Sequence, residues 1–297
     1  MSKKLLFIFN QYSGRAQIRN YLVDIVDIMV KAGWEVTIYT TQAPRDATAK
    51  VISDAGMYDL VVCSGGDGTL DEVTCGMMRL DKRVPIGYIP AGSTNDFGAS
   101  LGIDKDMQRA AEIAVTGQPF KCDVGSFGDD VFIYVAAFGI FTEVSYQTPQ
   151  DMKNMLGHAA YILEGARQLS DIPTYSVQVE YDGATLYDDF IYGMITNSKQ
   201  VGGFKGMIPG NIELNDGLFE VTLIRTPETV AELNEILAYL TLRTPTHLVL
   251  SFQAREVRFI STEEIPWTLD GEDGGKHSDI TARNEQQAIE IMVESTE

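Results

Sequence analysis

From residue 3 to residue 124, short apolar runs alternate with amphipathic stretches. Residues 5–9 are an unbroken apolar run that stops at Asn10, the look of a strand buried on both faces. Ile18, Leu22, Ile25, Val26 and Met29 recur at the spacing of one helix face, so 18–31 is predicted helical, with Gly33 as its stop. Residues 34–40 follow as a strand, 47–55 as a helix, 60–63 as a second doubly buried strand and 70–80 as a helix. Pro85 introduces a fourth strand at 86–89, and 107–115 is a further helix. This alternation predicts a doubly wound α/β domain with a parallel sheet, whose ligands lie at the carboxyl ends of the strands.

Beyond residue 124 the rhythm changes. Residues 131–138, 175–181, 190–196, 218–225, 248–252, 257–260 and 288–293 read as strands, with Asp182-Gly183 and Asn215-Asp216-Gly217 as turn signals. Only 154–169 and 229–240 have helical spacing. A mainly antiparallel β-sandwich is predicted for this half, giving domains at 1–124 and 125–297.

Composition narrows the class. The 297 residues suffice for two cores, and no apolar run approaches the ~20 residues that span a bilayer. Lys3 and Lys4 precede too short an apolar run for a secretory signal. Cys63, Cys75 and Cys122 lack metal spacing and are expected as reduced residues of a cytoplasmic protein. A net charge of −19 excludes nucleic acid as a partner. Membrane contact must then be transient and local, with Lys153, Arg167, Lys199 and Lys205 as the basic residues that could rim it. His158, His247 and His277 are too scattered for a metal triad, and Trp34 and Trp267 read as packing residues.

The candidate chemistry gathers in turns after strands: 10–14, 64–69 and 90–96. In Gly65-Gly66-Asp67-Gly68-Thr69, backbone N–H groups can approach a ligand with few Cβ atoms in the way. The positive end of the following helix suits a phosphate. Asp67 would repel that phosphate unless a divalent cation bridged the two. An ordinary glycine-rich turn with an aspartate cap fits the same residues. Ser93, Thr94, Asn95 and Asp96 repeat the pattern but also read as an N-cap cluster. Thr41 closes the second strand and either lines the same crevice or is an exposed strand end. Asp270-Gly271 ends a strand in a glycine-rich turn able to project a carboxylate into a crevice, although an ordinary hairpin has the same spacing.

Together these motifs, with Glu72, Asp123, 153–161, Gly202-Gly203, 215–218 and Leu269-Asp270-Gly271-Glu272, resemble the bacterial diacylglycerol kinase-like lipid kinases nearly end to end. That family shares its nucleotide-binding domain with sphingosine and ceramide kinases and, more distantly, with NAD kinases and phosphofructokinases. Gly-Gly-Asp-Gly-Thr is common to lipid and NAD kinases, whereas residues 92–97 and the late Leu-Asp-Gly-Glu separate them.

The resemblance implies ATP and Mg2+ as cofactors. It places the nucleotide on Asn10, Thr41, Gly65, Gly66, Gly68, Thr69 and Ser93, with Asp67, Asp96 and Glu272 in the charged, metal-binding catalytic network. Asp270 would be the general base, and Asp270→Asn is expected to leave melting barely changed while lowering turnover about 10²- to 10⁴-fold. A structural magnesium site would fall on Asp216 and the carbonyls of Glu213 and Leu218, though a plain turn fits Asp216 as well. Asp123 and Lys153 would form an ion pair or stand as separate surface charges. Asp71 and Gln11 depart from the commoner asparagine and proline of the family.

The implied function is transfer of the γ-phosphoryl group of ATP to a lipid hydroxyl, diacylglycerol giving phosphatidic acid. The lipid is met at the membrane surface in the sandwich domain, with the reaction in the crevice between the domains, and a homodimer is left open. The alternatives are an NAD kinase-like phosphotransferase and a nucleotide-binding regulator without turnover.

Overall fold

Four strands, β1 (Lys3–Phe9), β2 (Trp34–Thr40), β3 (Leu60–Gly65) and β4 (Ile86–Pro90), form a parallel sheet in the order β4-β3-β1-β2. The structure is a computed structural model and describes residues 2–92, 95–140, 172–201, 204–205, 212–242 and 244–295. The two doubly apolar runs become the central strands β1 and β3, buried along Leu5–Phe9 and throughout Leu60–Gly65. The crossovers are α1 (Ile18–Lys31), α2 (Asp46–Asp54) and α3 (Asp67–Met78), followed by the short α4 (Asp96–Ser100) and α5 (Met107–Thr116). α1 packs on α5 and α2 on α3, as right-handed crossovers over this strand order require. The chain leaves β1 toward β2 and leaves β3 toward β4, so the switch in direction lies between β1 and β3. Ligands of such sheets bind at that point.

The antiparallel half begins within β5 (Gln118–Phe127) and continues with β6 (Asp130–Phe132), β7 (Val135–Gly139), β8 (Tyr175–Tyr181) and β9 (Ala184–Thr196). The two-residue strands β10 (Gln200–Val201) and β11 (Phe204–Lys205) pair with each other. β12 (Phe219–Arg225), α6 (Val230–Leu242), β13 (Val249–Ala254), β14 (Glu256–Leu269) and β15 (Glu272–Val293) complete the described elements. β9 pairs with β8 along its first half and with β7 and β12 along its second. β14 likewise pairs first with β8 and then with β7, and its ladder with β15 shifts register after Ile260. Long strands thus serve both layers of the sandwich. Phe127, Phe138, Phe259 and Trp267 fill its core, with ring centroids from 4.8 to 5.9 Å around Trp267 and Phe138.

Two expectations need correction, and one strand was not expected. Residues 118–127, for which no element was expected, form a strand in which Phe120, Cys122 and Val124 alternate with polar residues. Residues 131–138 are two strands rather than one. The chain divides into a unit of residues 1–124 with 286–297 and a unit of 125–285, so the last segment does not stay in the sandwich as 125–297 assumed. Ile291 pairs with Ile86 of β4 in parallel, Arg83 donates to the carbonyl of Ala288 at 2.7 Å, and Arg109 pairs with Glu294. The helix expected at 154–169 lies outside the described residues.

Candidate active site

At the switch point, three glycine-bearing turns close on one another. Asn10 N–H donates to the Ser64 carbonyl at 3.0 Å, joining the ends of β1 and β3. A Cβ on Gly14, at φ +52°, would stand 1.5 Å from the Ala91 carbonyl oxygen. One on Gly92 would stand 2.6 Å from the Gly66 Cα. These two glycines are required because backbone packs on backbone. Asn95, at φ +53°, holds the third turn, accepting from Gly92 N–H at 2.9 Å and donating to the Gly92 carbonyl at 2.8 Å. Tyr88 lies beneath, its hydroxyl 3.1 Å from both the Gly65 carbonyl and the Asn95 amide oxygen. Burial pushes that hydroxyl well above the ordinary tyrosine range, so it stays a donor.

Gly65 and Gly66 differ in kind. A Cβ on Gly65 would strike the Thr69 hydroxyl at 2.1 Å, whereas one on Gly66 would meet nothing nearer than 3.5 Å. Gly66 has φ −81°, which any residue can adopt. Neither packing nor backbone demands its glycine. Helix α3 starts directly after it, earlier than residue 70, so Asp67, Gly68 and Thr69 are its first turn. The buried Asp67 carboxylate accepts from Asp96 N–H at 3.1 Å. The structure therefore brings Asn10, Gly65, Gly66, Asp67, Gly68, Thr69 and Asp96 together. Thr41 N–H donates to the Phe9 carbonyl at 3.0 Å, placing it at the same sheet end, and Ser93 lies outside the described residues. Buried Asp67 and Asp96 offer only oxygen, a donor set that fits Mg2+ held by one or two carboxylates and phosphate oxygens.

Two neighbours have structural work. Glu72 accepts from Arg45 N–H at 2.8 Å and Ala47 N–H at 3.0 Å, capping α2 in place of a local cap. Asn10 Oδ1 accepts from Tyr12 N–H at 3.0 Å, so a side-chain turn supplies the rigidity that Gln11, in place of proline, does not. Asp71 is half-buried on α3 with the Cys75 thiol 3.7 Å from its carboxylate.

In the second unit, Asp270 and Gly271 have φ +50° and +87°, a two-residue hairpin joining β14 to β15. The Asp270 carboxylate is turned inward rather than projected. It accepts from the N–H groups of Ile133 at 2.6 Å, Tyr134 at 3.0 Å and Val135 at 2.8 Å, and only 6 % of the residue is exposed. Three of a carboxylate's roughly four acceptor positions are thereby used. Glu272, one residue past the turn, is exposed. The geometry makes Asp270 the anchor of the hairpin, while the carboxylates of Glu272 and Asp273 just beyond it are exposed.

Asp216 precedes Gly217, at φ +82°, and accepts from Leu218 N–H at 2.9 Å. Its carboxylate with the carbonyls of Glu213 and Leu218 is again an oxygen-only set, which fits a hard divalent cation. Asp123 is fully buried and accepts from Gln287 N–H at 2.7 Å, so it is no surface charge. Lys153 and Arg167 lie outside the described residues, as does the Lys205 side chain, while Lys199 is exposed. Cys63 and Cys122 are free and buried, and burial raises both thiols. His247 is exposed, and His277 lies 2.9 Å from the Gly274 carbonyl. Among the described residues no three histidine, cysteine or acidic side chains cluster as a metal site, and no helix is long and apolar enough to cross a membrane.

An α/β unit with a glycine-rich turn at its switch point, joined to a β-sandwich, is the class that fold and site define. Residues 4–127 match the diacylglycerol kinase catalytic domain, and 135–293 match the YegS C-terminal NAD kinase beta sandwich-like domain. A diacylglycerol kinase of Bacillus subtilis (strain 168) is 33% identical over 92% of this chain and 91% of its own. One from Staphylococcus carnosus (strain TM300) is 32% identical over 93% and 90%. The crystal structure of a diacylglycerol kinase from Bacillus anthracis superposes with a TM-score of 0.81 at 25% identity, covering 98% of this chain and 97% of that one. The chain belongs to the diacylglycerol kinase family, and it is a kinase of the lipid-kinase class.

Proposed function

We propose that this enzyme transfers the γ-phosphoryl group of ATP to the free hydroxyl of diacylglycerol, yielding phosphatidic acid and ADP. The observation that carries the phosphoryl half is Gly66, a glycine that the fold does not need, at the N-terminus of α3. Backbone N–H groups of 66–68 receive the phosphates there, favoured by the helix end. Asp67 and Asp96 would hold Mg2+. That ion, when bound, neutralises phosphate charge, and transfer is otherwise a matter of positioning. The lipid oxygen bonds to the γ-phosphorus, the bond to the bridging oxygen of ADP breaks, and the hydroxyl proton goes to Glu272. Asp270 holds the hairpin that presents Glu272. The names of the relatives supply the acceptor. The lipid is met in transient contact with a membrane surface.

Labelled ATP with dioctanoylglycerol should yield labelled phosphatidic acid. Glu272→Gln should lower turnover about 10²- to 10⁴-fold with ATP affinity and melting retained. Label in NADP would support the NAD kinase-like alternative, and bound ATP with no labelled product would support a regulator. Near-normal turnover in Glu272→Gln would remove Glu272 as the base.

A further inference from the structure

Four segments carry the carboxyl ends of the parallel strands: 10–14, 41–46, 64–69 and 90–96. Their charged residues are Asp46, Asp67 and Asp96 with a single cation, Arg45, while Arg15 stands one position past the first segment. A crevice for a nucleotide's polyphosphate is thus lined mainly by carboxylates, in a chain of net charge −19. Phosphoryl-transfer sites commonly set a lysine or arginine on the phosphates as well as a metal.

Arg45 stands at the start of α2 with φ +65°, in the left-handed region. The Cβ of an L-residue is crowded there, and glycine adopts the region freely. Its neighbours impose this backbone. Arg45 N–H donates to Glu72 at 2.8 Å, and the Thr48 hydroxyl donates to the Glu72 carbonyl at 2.8 Å. The Asp46 carboxylate accepts from Gln42 N–H at 2.7 Å and from the Tyr39 hydroxyl at 2.8 Å. None of these bonds uses the guanidinium. Arg45 is exposed and forms no ion pair among the described residues. A strained residue whose side chain holds nothing in the fold points to work outside the fold.

Its position says which work. Glu72 lies four residues past Gly68 and three past Thr69, so all three share one face of α3. At 1.5 Å per residue, Glu72 is about 6 Å along the axis from Gly68. Arg45, bonded directly to Glu72, therefore stands beside the first turns of α3, within an arginine side chain's reach of phosphates on 66–68. The end of α2 offers no anion site of its own, because Glu72 already takes the Arg45 and Ala47 N–H groups. What remains for a ligand is the guanidinium, whose planar fork matches phosphate oxygens.

We propose that the Arg45 guanidinium contacts the polyphosphate of the bound nucleotide. This rests on the kinase function proposed above and adds a cation to a site otherwise built from backbone and carboxylates. The test is equilibrium binding of ATP with Mg2+ to the full chain, with adenosine, which has no phosphate, measured as a competitor. Arg45→Gly should melt no lower than the wild type, since glycine suits both the backbone and the cap position. It should nevertheless bind ATP about tenfold more weakly, with adenosine unchanged. Stability and affinity then move apart, which a merely structural residue would not produce. Arg45→Gln keeps the Cβ and should lose ATP affinity to the same degree, and Arg45→Lys should lose less. Wild-type ATP affinity in folded Arg45→Gly and Arg45→Gln overturns the proposal. So does an equal loss for ATP and adenosine, which would assign Arg45 to the shape of the loop. A charge-dependent loss of ATP binding in a protein that makes no phosphatidic acid supports the contact and removes the kinase function instead. Phosphatidic acid made by Arg45→Gly at the wild-type KM for ATP does the reverse.

Discussion

Asp182-Gly183 and Asp270-Gly271 are the same dipeptide in the same kind of hairpin, with φ of +45° and +81° in one and +50° and +87° in the other. Asp-Gly suits such a turn because both positions need positive φ. The carboxylates part company. Asp182 faces solvent between β8 and β9, while Asp270 is buried on three backbone donors at 133–135. The dipeptide therefore determines the turn, and the strand that happens to lie opposite determines the side chain's work.

The largest effect that would break or sharpen this contrast is at Asp270. Asn has the same size but offers one acceptor oxygen and sets an NH2 group against N–H donors. At about 1.5–3 kcal/mol for each hydrogen bond to a charged group, Asp270→Asn should lose roughly 3 kcal/mol or more of stability. Denaturant midpoints measure it, and an unchanged midpoint would show that the carboxylate does not anchor the hairpin. This reverses the expectation from sequence, in which the substitution left melting untouched.

The glycines should behave alike where the aspartates do not. Gly183→Ala and Gly271→Ala each place a Cβ at positive φ, and each should cost about 1–2 kcal/mol. A difference larger than that range would mean that the turns differ in backbone after all, and the comparison of carboxylates would lose its footing.

Asp216-Gly217 is intermediate, its carboxylate bonded only two residues onward to Leu218 N–H. A cation on Asp216 with the Glu213 and Leu218 carbonyls should stabilise the wild type by about 1.4 kcal/mol at tenfold excess over Kd. The magnesium-induced rise in melting temperature should be absent from Asp216→Ala. An equal rise in both proteins would leave Asp216 a plain turn residue.

The same distinction explains what could be foreseen. Leu5–Phe9 and Leu60–Cys63 announce buried parallel strands because their neighbours in sequence are all apolar, and the three glycine turns follow from the strands they end. The roles of Asp270, Asp123 and Glu72 depend on backbone groups 137, 164 and 27 residues away, which no local pattern reports. Strand 118–127 was not foreseen, and nothing in residues 288–293 says which sheet they join.

The smallest effect is the control on which the contrast depends. Asp182 has an exposed side chain in a turn whose backbone already favours aspartate or asparagine at this position. Asp182→Asn keeps the turn preference and removes a solvated charge, so stability should change by no more than about 0.5 kcal/mol. Turnover on diacylglycerol should match the wild type, because the residue lies in none of the turns assigned to chemistry. Measured beside Asp270→Asn, it separates the value of the carboxylate from the value of the hairpin. A loss at Asp182 approaching that at Asp270 would mean that asparagine itself strains these turns, and the inward anchoring of Asp270 would no longer explain its own loss.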